Sequence, residues 1–134
     1  GSSRVDGRYH TAREDQVLYL SSSPELSMAE SARLFRTVPM HRAAWFTCAF
    51  EVALERVLDL TSPAVLDTLG LSIADLVQPG PAGFKRPQTL ATAARAAGFD
   101  ALLAPTARPH MTGANLVVFL EILPTTGDTV VKAA

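Results

Sequence analysis

The 134-residue chain is short of several features that would each point to a function class. It has one cysteine, Cys48, so it makes no internal disulfide, and a reducing, cytoplasmic setting is expected. It has no excess of charge of either sign: 12 Lys and Arg stand against 13 Asp and Glu, a net charge of -1. The basic residues do not gather in one run, which disfavours a broad nucleic-acid surface but not a small anion pocket. Its three histidines, His10, His41 and His110, lie far apart and show no metal-ligand spacing with Cys48, so no metal is expected. No apolar run is long enough to span a membrane, and the opening residues lack the apolar stretch of a secretion signal. No repeat or low-complexity tract is present.

What is present is enough apolar material for a core. Hydrophobic residues make up 48% and charged residues 19%, which excludes a disordered chain and suits one domain over residues 1–134. Gly7 to Thr11 reads as a short edge strand, and Arg13 to Gln16 as a turn. Val17 to Ser21 alternates, with Val17, Tyr19 and Ser21 on one side and Leu18 and Leu20 on an apolar inner side. Ser23-Pro24 is an N-cap with proline at the first helical position, opening a helix to about Phe35 or Arg36. On it Met28, Ala32 and Phe35 form one line, and Leu26, Glu30 and Leu34 another.

From Ala44 to Leu60 the pattern fits two templates. Phe46, Cys48, Phe50, Val52 and Leu54 alternate as a strand, while Phe46, Phe50, Leu54 and Leu58 fit a helix. The aromatic content favours a long strand, bent near Glu55-Arg56 and ending at Thr61. Ser62-Pro63 then starts a short helix closed by Gly70. Ser72 to Val77 is a second short helix, and Gln78 to Gly83 a loop. Arg86-Pro87 opens a helix with Leu90, Ala94 and Ala97 on one side, closed by Gly98. Strands are expected at Ala101–Ala104 and Leu116–Leu120, with an edge strand at Val130–Lys132. Strands and helices do not alternate strictly, so the expected class is α+β.

Taken singly, the chemically useful residues have plain explanations. Glu30, flanked by Leu26 and Leu34, could floor a pocket, but on spacing alone it reads as an exposed acid paired with Arg33 or Arg36. Tyr19 beside Ser21 could stack a flat ring and hydrogen-bond its amide; the commoner case is packing against a helix. Arg8 carries a fork of donors suited to a diphosphate or carboxylate, or is an ordinary surface arginine. Cys48 and His41 could be imagined as nucleophile and base, but a cysteine between Phe46 and Phe50 is more often core. Arg33, Arg36 and Arg42 read as solvated surface, and Trp45 as core.

In combination these residues resemble the RES domain, the toxin half of a class of bacterial toxin–antitoxin pairs. The resemblance rests on the turn Gly7-Arg8-Tyr9, the strand Leu18-Tyr19-Leu20-Ser21-Ser22-Ser23-Pro24, and the pair Ala29-Glu30. It continues with Val57 to Thr61, Ala93 to Pro105, and Asn115 to Phe119, and so covers nearly the whole chain. Two departures stand out. Thr106 occupies the place of the family's late serine, and the stretch usually found before the Gly-Arg turn is short or missing.

The resemblance implies an ADP-ribosyltransferase-like fold, with two small sheets forming an NAD cleft between flanking helices. It implies cleavage of the nicotinamide–ribose bond of NAD, with water or inorganic phosphate as acceptor. NAD is then substrate, and no bound cofactor is expected. Glu30, Arg8 and Tyr19 take catalytic roles: Glu30 below the ribose, Tyr19 walling the nicotinamide, Arg8 on the diphosphate or ribose. Arg8, Tyr9, Tyr19, Ser21, Thr106 and Asn115 are the binding candidates. The implied partner is a cognate Xre/DUF2384-like antitoxin that blocks the cleft. The alternatives are ADP-ribosylation of a protein target and a non-catalytic nucleotide- or partner-binding module.

Overall fold

The computed structural model describes residues 7–11, 16–37, 48–123 and 130–133. Strand β1 (Val17–Ser21) leads into helix α1 (Pro24–Thr37), which the Ser23 hydroxyl caps by accepting from Leu26 N at 3.1 Å. Next come strands β2 (Phe50–Ala53) and β3 (Val57–Asp59), then the short helices α2 (Pro63–Leu69) and α3 (Ile73–Leu76). A 3-10 turn (Pro81–Phe84) runs into helix α4 (Lys85–Ala96), followed by β4 (Ala101–Pro105), β5 (Ala114–Phe119) and β6 (Val130–Ala133). The architecture is mixed α+β, as expected.

The four-stranded sheet has the order β1-β5-β4-β3. Its β1–β5 and β5–β4 ladders are antiparallel, and β3 pairs parallel with β4. Strands β2 and β6 form a separate antiparallel ladder. The residues from 44 to 61 are therefore not one bent strand. Their described part contributes β2 to one ladder and β3 to the other. The break has a cause far away in sequence. The buried Asp100 carboxylate accepts from Glu55 N at 3.2 Å and Arg56 N at 3.1 Å, while Asp100 N donates to Arg56 O at 2.7 Å. These bonds turn the chain where it leaves β2 and set it beside β4.

The register decides which face of β1 is covered. Val17, Tyr19 and Ser21 stand opposite Phe119, Val117 and Asn115, and Leu102 and Ala104 adjoin them on β4. That face carries the core, in which Val17, Leu102, Val117 and Phe119 pack with Tyr9, Leu60, Leu66, Leu76, Ala91 and Ala94. Burying each of the larger side chains contributes roughly 1.5–3 kcal/mol. The inner face of β1 is thus the one bearing Tyr19 and Ser21, the reverse of the expectation. Leu18 and Leu20 instead line, with Leu103 and Leu116, a cavity of about 480 Å³ whose far wall includes Cys48, Phe50 and Val52. Alternation in a strand defines two faces but not which one a partner covers.

Helix ends follow their sequence signals. Ser62 caps α2, Gly70 ends it at φ 69°, and Ser72 with Asp75 forms a capping box on α3. On α4 the buried line is Pro87, Ala91 and Ala94, with Leu90 half-buried and Ala97 exposed, so the stripe is rotated from the expected one. Part of the expected loop at Gln78–Gly83 is the 3-10 turn, closed by Gly83 N donating to Gly80 O. Strand β5 starts two residues before the expected Leu116 and ends at Phe119. Gly7 to His10 is a tight turn closed by one bridge rather than an edge strand, because its residues pair with each other. Cys48 is exposed, not core, since it lies ahead of β2. On α1, Met28 is exposed, while Leu26 is fully buried and turns the Leu26/Glu30 line inward. His41, Arg42, Trp45, most of the Arg13–Gln16 turn and the side chains of Arg33 and Arg36 lie outside the described residues. No helix among the described residues is long and apolar enough to cross a membrane.

Candidate active site

Glu30 is held where α1 crosses the end of the sheet. Ser22 accepts Ala114 N at 3.1 Å and donates its own amide to Ala114 O at 3.0 Å, pinning the start of α1 to β5. Gly113, at φ 113°, permits this close approach, because a Cβ there would strike the Ser22 hydroxyl. Leu26 packs at this junction, and Glu30 follows one helical turn later on the same side.

The carboxylate meets three side chains from the β4–β5 region. Its Oε1 accepts from Thr106 Oγ1 at 2.8 Å and from Asn115 Nδ2 at 3.0 Å. Its Oε2 lies 3.6 Å from Arg108 Nε, an ion pair longer than a hydrogen bond. Asn115 is oriented in turn by Ser21, whose hydroxyl donates to Asn115 Oδ1 at 2.9 Å. Arg108 joins the group twice more, through its amide to Thr106 Oγ1 at 3.1 Å and through Nη2 to Glu30 O at 3.0 Å. Oε1 is therefore anchored by two neutral donors, and Oε2 keeps capacity for another partner.

A second cluster surrounds the Gly7–His10 turn. Tyr19 reaches it from β1: its hydroxyl accepts from Tyr9 N at 3.1 Å and pairs with His10 Nδ1 at 2.8 Å. The His10 and Tyr19 ring centroids are 5.5 Å apart. Gln88 on α4 donates to both ends of the turn, to Gly7 O at 2.8 Å and His10 O at 3.1 Å. A Cβ at Gly7 would collide with the His10 ring, so the turn closes only around glycine.

Arg8 projects from this turn. Its Nη1 donates to Leu76 O at 3.1 Å and Gln78 O at 2.8 Å, and the guanidinium lies 4.9 Å from the Phe84 ring centroid. Burial holds its pKa below the ordinary value, against an opposing pull from Tyr9, Glu30 and Tyr19. Arg8 thus lies within electrostatic reach of Glu30, although the two share no hydrogen bond among the described residues. The Tyr9 ring is core, 3% exposed, and its hydroxyl has no hydrogen-bond partner among the described residues. Burial pushes that phenol well above its ordinary range, with Arg8 pulling it back.

The expected residues thus form two clusters bridged by β1. Glu30, Thr106, Asn115 and Ser21 make one hydrogen-bonded network, while Arg8, Tyr9 and Tyr19 belong to the turn. Tyr19 and Ser21, on one face of β1, belong to one cluster each and both border the 480 Å³ cavity, whose lining does not include Glu30. Sequence reasoning missed Arg108, His10 and Gln88. Gln88 carried one usable signal, a polar residue beside the buried Pro87 and Ala91 positions. Arg108 carried none, since a loop arginine looks like any surface arginine. Among the described residues no group of His, Cys, Asp and Glu is placed to hold a metal ion.

Comparison with known proteins adds an independent line. A family model described as the RES domain matches residues 1–132. A chain in the crystal structure of the M. tuberculosis MbcT–MbcA toxin–antitoxin complex shares the fold, with a TM-score of 0.64 at 22% identity, over 98% of this chain and 71% of that one. No curated protein matches the sequence.

Proposed function

Because the chain belongs to the RES domain family, we propose that it is the toxin of a toxin–antitoxin pair and that it cleaves the nicotinamide–ribose bond of NAD. The observation that carries this reading is the anchored Glu30 carboxylate, with Thr106 and Asn115 on one oxygen at 2.8 and 3.0 Å and only the 3.6 Å ion pair to Arg108 on the other. In the reaction the ribose C1′–N bond breaks and its electron pair leaves with nicotinamide. Positive charge then builds on the ribose, as in glycoside hydrolysis. A carboxylate fixed before the reaction stabilises that charge without reorganising. Water adds to C1′ and loses a proton to solvent, giving ADP-ribose; inorganic phosphate in its place bonds C1′ through one oxygen and gives ADP-ribose carrying a phosphate at C1′.

In this reading Tyr19, a residue 40% exposed, walls the nicotinamide with its ring. Arg8 contributes positive charge to the nucleotide site from its seat on the Leu76 and Gln78 carbonyls. The fold is the ADP-ribosyltransferase type, and a cognate antitoxin silences the enzyme by covering the Glu30 site. The test is release of nicotinamide from NAD by the chain free of any antitoxin. Glu30→Gln, which keeps shape but removes charge, is expected to cut release at least 100-fold with melting unchanged within a few degrees. Absence of release by the wild type, or full turnover by Glu30→Gln, refutes the reading. Label from NAD appearing on a protein instead of in free ADP-ribose would assign the transferase alternative.

A further inference from the structure

Arg108 presents a conflict within the site. Glu30 serves the proposed reaction by opposing positive charge on the ribose, yet a guanidinium already sits 3.6 Å from its Oε2. While that cation remains there, much of the carboxylate's field is cancelled. The pair is open to water, with the two side chains 29% and 32% exposed, and an ion pair so placed is weak and exchangeable. The arginine is also built to let go. Its Nη2 is tethered to the Glu30 main-chain carbonyl and its amide to Thr106, so the residue stays in the site when Nε leaves the carboxylate. Nη1 makes no hydrogen bond among the described residues. A guanidinium with spare donors on a main-chain tether is matched to a phosphate oxygen.

We infer that Arg108 is a specificity-determining residue that exchanges the Glu30 carboxylate for the substrate's diphosphate, so that only a nucleotide bearing that anion unmasks Glu30. This rests on the reading of the site as one that cleaves NAD. It adds that the bare nucleoside, nicotinamide riboside, is a poor substrate because it leaves Arg108 on Glu30.

Exchange of partners has a thermodynamic signature independent of turnover. Binding of ADP-ribose is measured by calorimetry for wild type, Glu30→Gln, Arg108→Gln and the double variant. Glu30→Gln frees Arg108, and ADP-ribose is expected to bind several-fold tighter than to wild type. In the Arg108→Gln background the same substitution is expected to change affinity much less, and Arg108→Gln alone to weaken binding about tenfold. The difference between the two backgrounds isolates the pair from the general loss of one negative charge. Additive effects, or no binding of ADP-ribose by wild type, overturn the inference.

A kinetic arm accompanies it. Arg108→Gln is expected to raise KM for NAD at least tenfold with little change in kcat, and to narrow the preference for NAD over nicotinamide riboside; Arg108→Lys restores part of it. An equal fall in kcat for both substrates would mean that Arg108 only supports Glu30, and would also overturn the inference. The two readings fail separately. A wild type that binds ADP-ribose with the expected coupling but releases no nicotinamide removes the cleavage reading and leaves the exchange standing. A wild type that releases nicotinamide while the substitutions act additively does the reverse.

Discussion

Thr106→Val is the sharpest available perturbation of the Glu30 anchor, because it exchanges a hydroxyl for a methyl of nearly the same shape. Two bonds are lost at once. The hydroxyl donates to Glu30 Oε1 at 2.8 Å and accepts from Arg108 N at 3.1 Å. A hydrogen bond to a charged group is worth about 1.5–3 kcal/mol. Glu30's side chain is 32% exposed and water replaces part of the loss, which places the cost near the lower end. If that loss falls wholly on the transition state, about 1.5 kcal/mol lowers kcat/KM by roughly tenfold. Thr106→Ser keeps the oxygen and drops only the methyl that stiffens the side chain, so it should stay within about threefold of wild type. Nicotinamide release gives the rate and thermal melting verifies the fold. Equal activity of Thr106→Val and wild type would refute the anchoring role. A serine variant as damaged as the valine variant would show that the methyl, not the hydroxyl, matters.

Two further predictions concern stability. Tyr9→Phe removes a buried hydroxyl that has no partner among the described residues, relieving about 1 kcal/mol of desolvation, so the melting temperature should hold or rise; a clear fall would show that the hydroxyl is satisfied in solution. Asp75 has its pKa lowered from 3.8, chiefly by the Ser72 amide and further by the Ser72 hydroxyl and Arg86. A carboxyl with a depressed folded pKa stabilises fully above its unfolded value and loses that contribution as pH falls through the folded one. Asp75→Asn should therefore flatten the decline in stability below about pH 4, and an unchanged acid-unfolding curve would contradict it.

Much of the scaffold is legible in local signals. Ser23-Pro24, Ser62-Pro63 and Gly70 mark helix ends because caps act within one turn. The apolar runs of β4 and β5 read as strands because both are covered. What failed to show depends on distant partners. Residues 50–59 alternate whether they form one strand or two, and the deciding carboxylate, Asp100, lies 45 positions beyond Glu55. The covered face of β1 is set by Val117 and Phe119, about 100 residues downstream on β5. In the site, Thr106 and Asn115 stand 76 and 85 positions from Glu30, so no spacing rule joins them. Family resemblance did, through residues it marked as functional. It did not mark Arg108, because a loop guanidinium acquires a role only from what the fold sets beside it.

The geometry also redistributes the work within the site. On sequence grounds Arg8 and Tyr19 are substrate contacts, yet each has polar atoms committed to the protein. The Tyr19 hydroxyl holds Tyr9 N and His10 Nδ1, so its polar atom is committed to the turn. Arg8 Nη1 is bound to two main-chain carbonyls, which fastens the segment after α3 to the Gly7–His10 turn. That anchorage fixes where the Arg8 charge sits, while Nε and Nη2 make no hydrogen bond among the described residues. Arg108 likewise keeps Nη1, and of the two it is the one paired with the Glu30 carboxylate. In the proposed exchange it is therefore Arg108, beside Glu30, whose move to a diphosphate would bare the carboxylate, joining recognition of the anion to exposure of the acid at one pair of side chains.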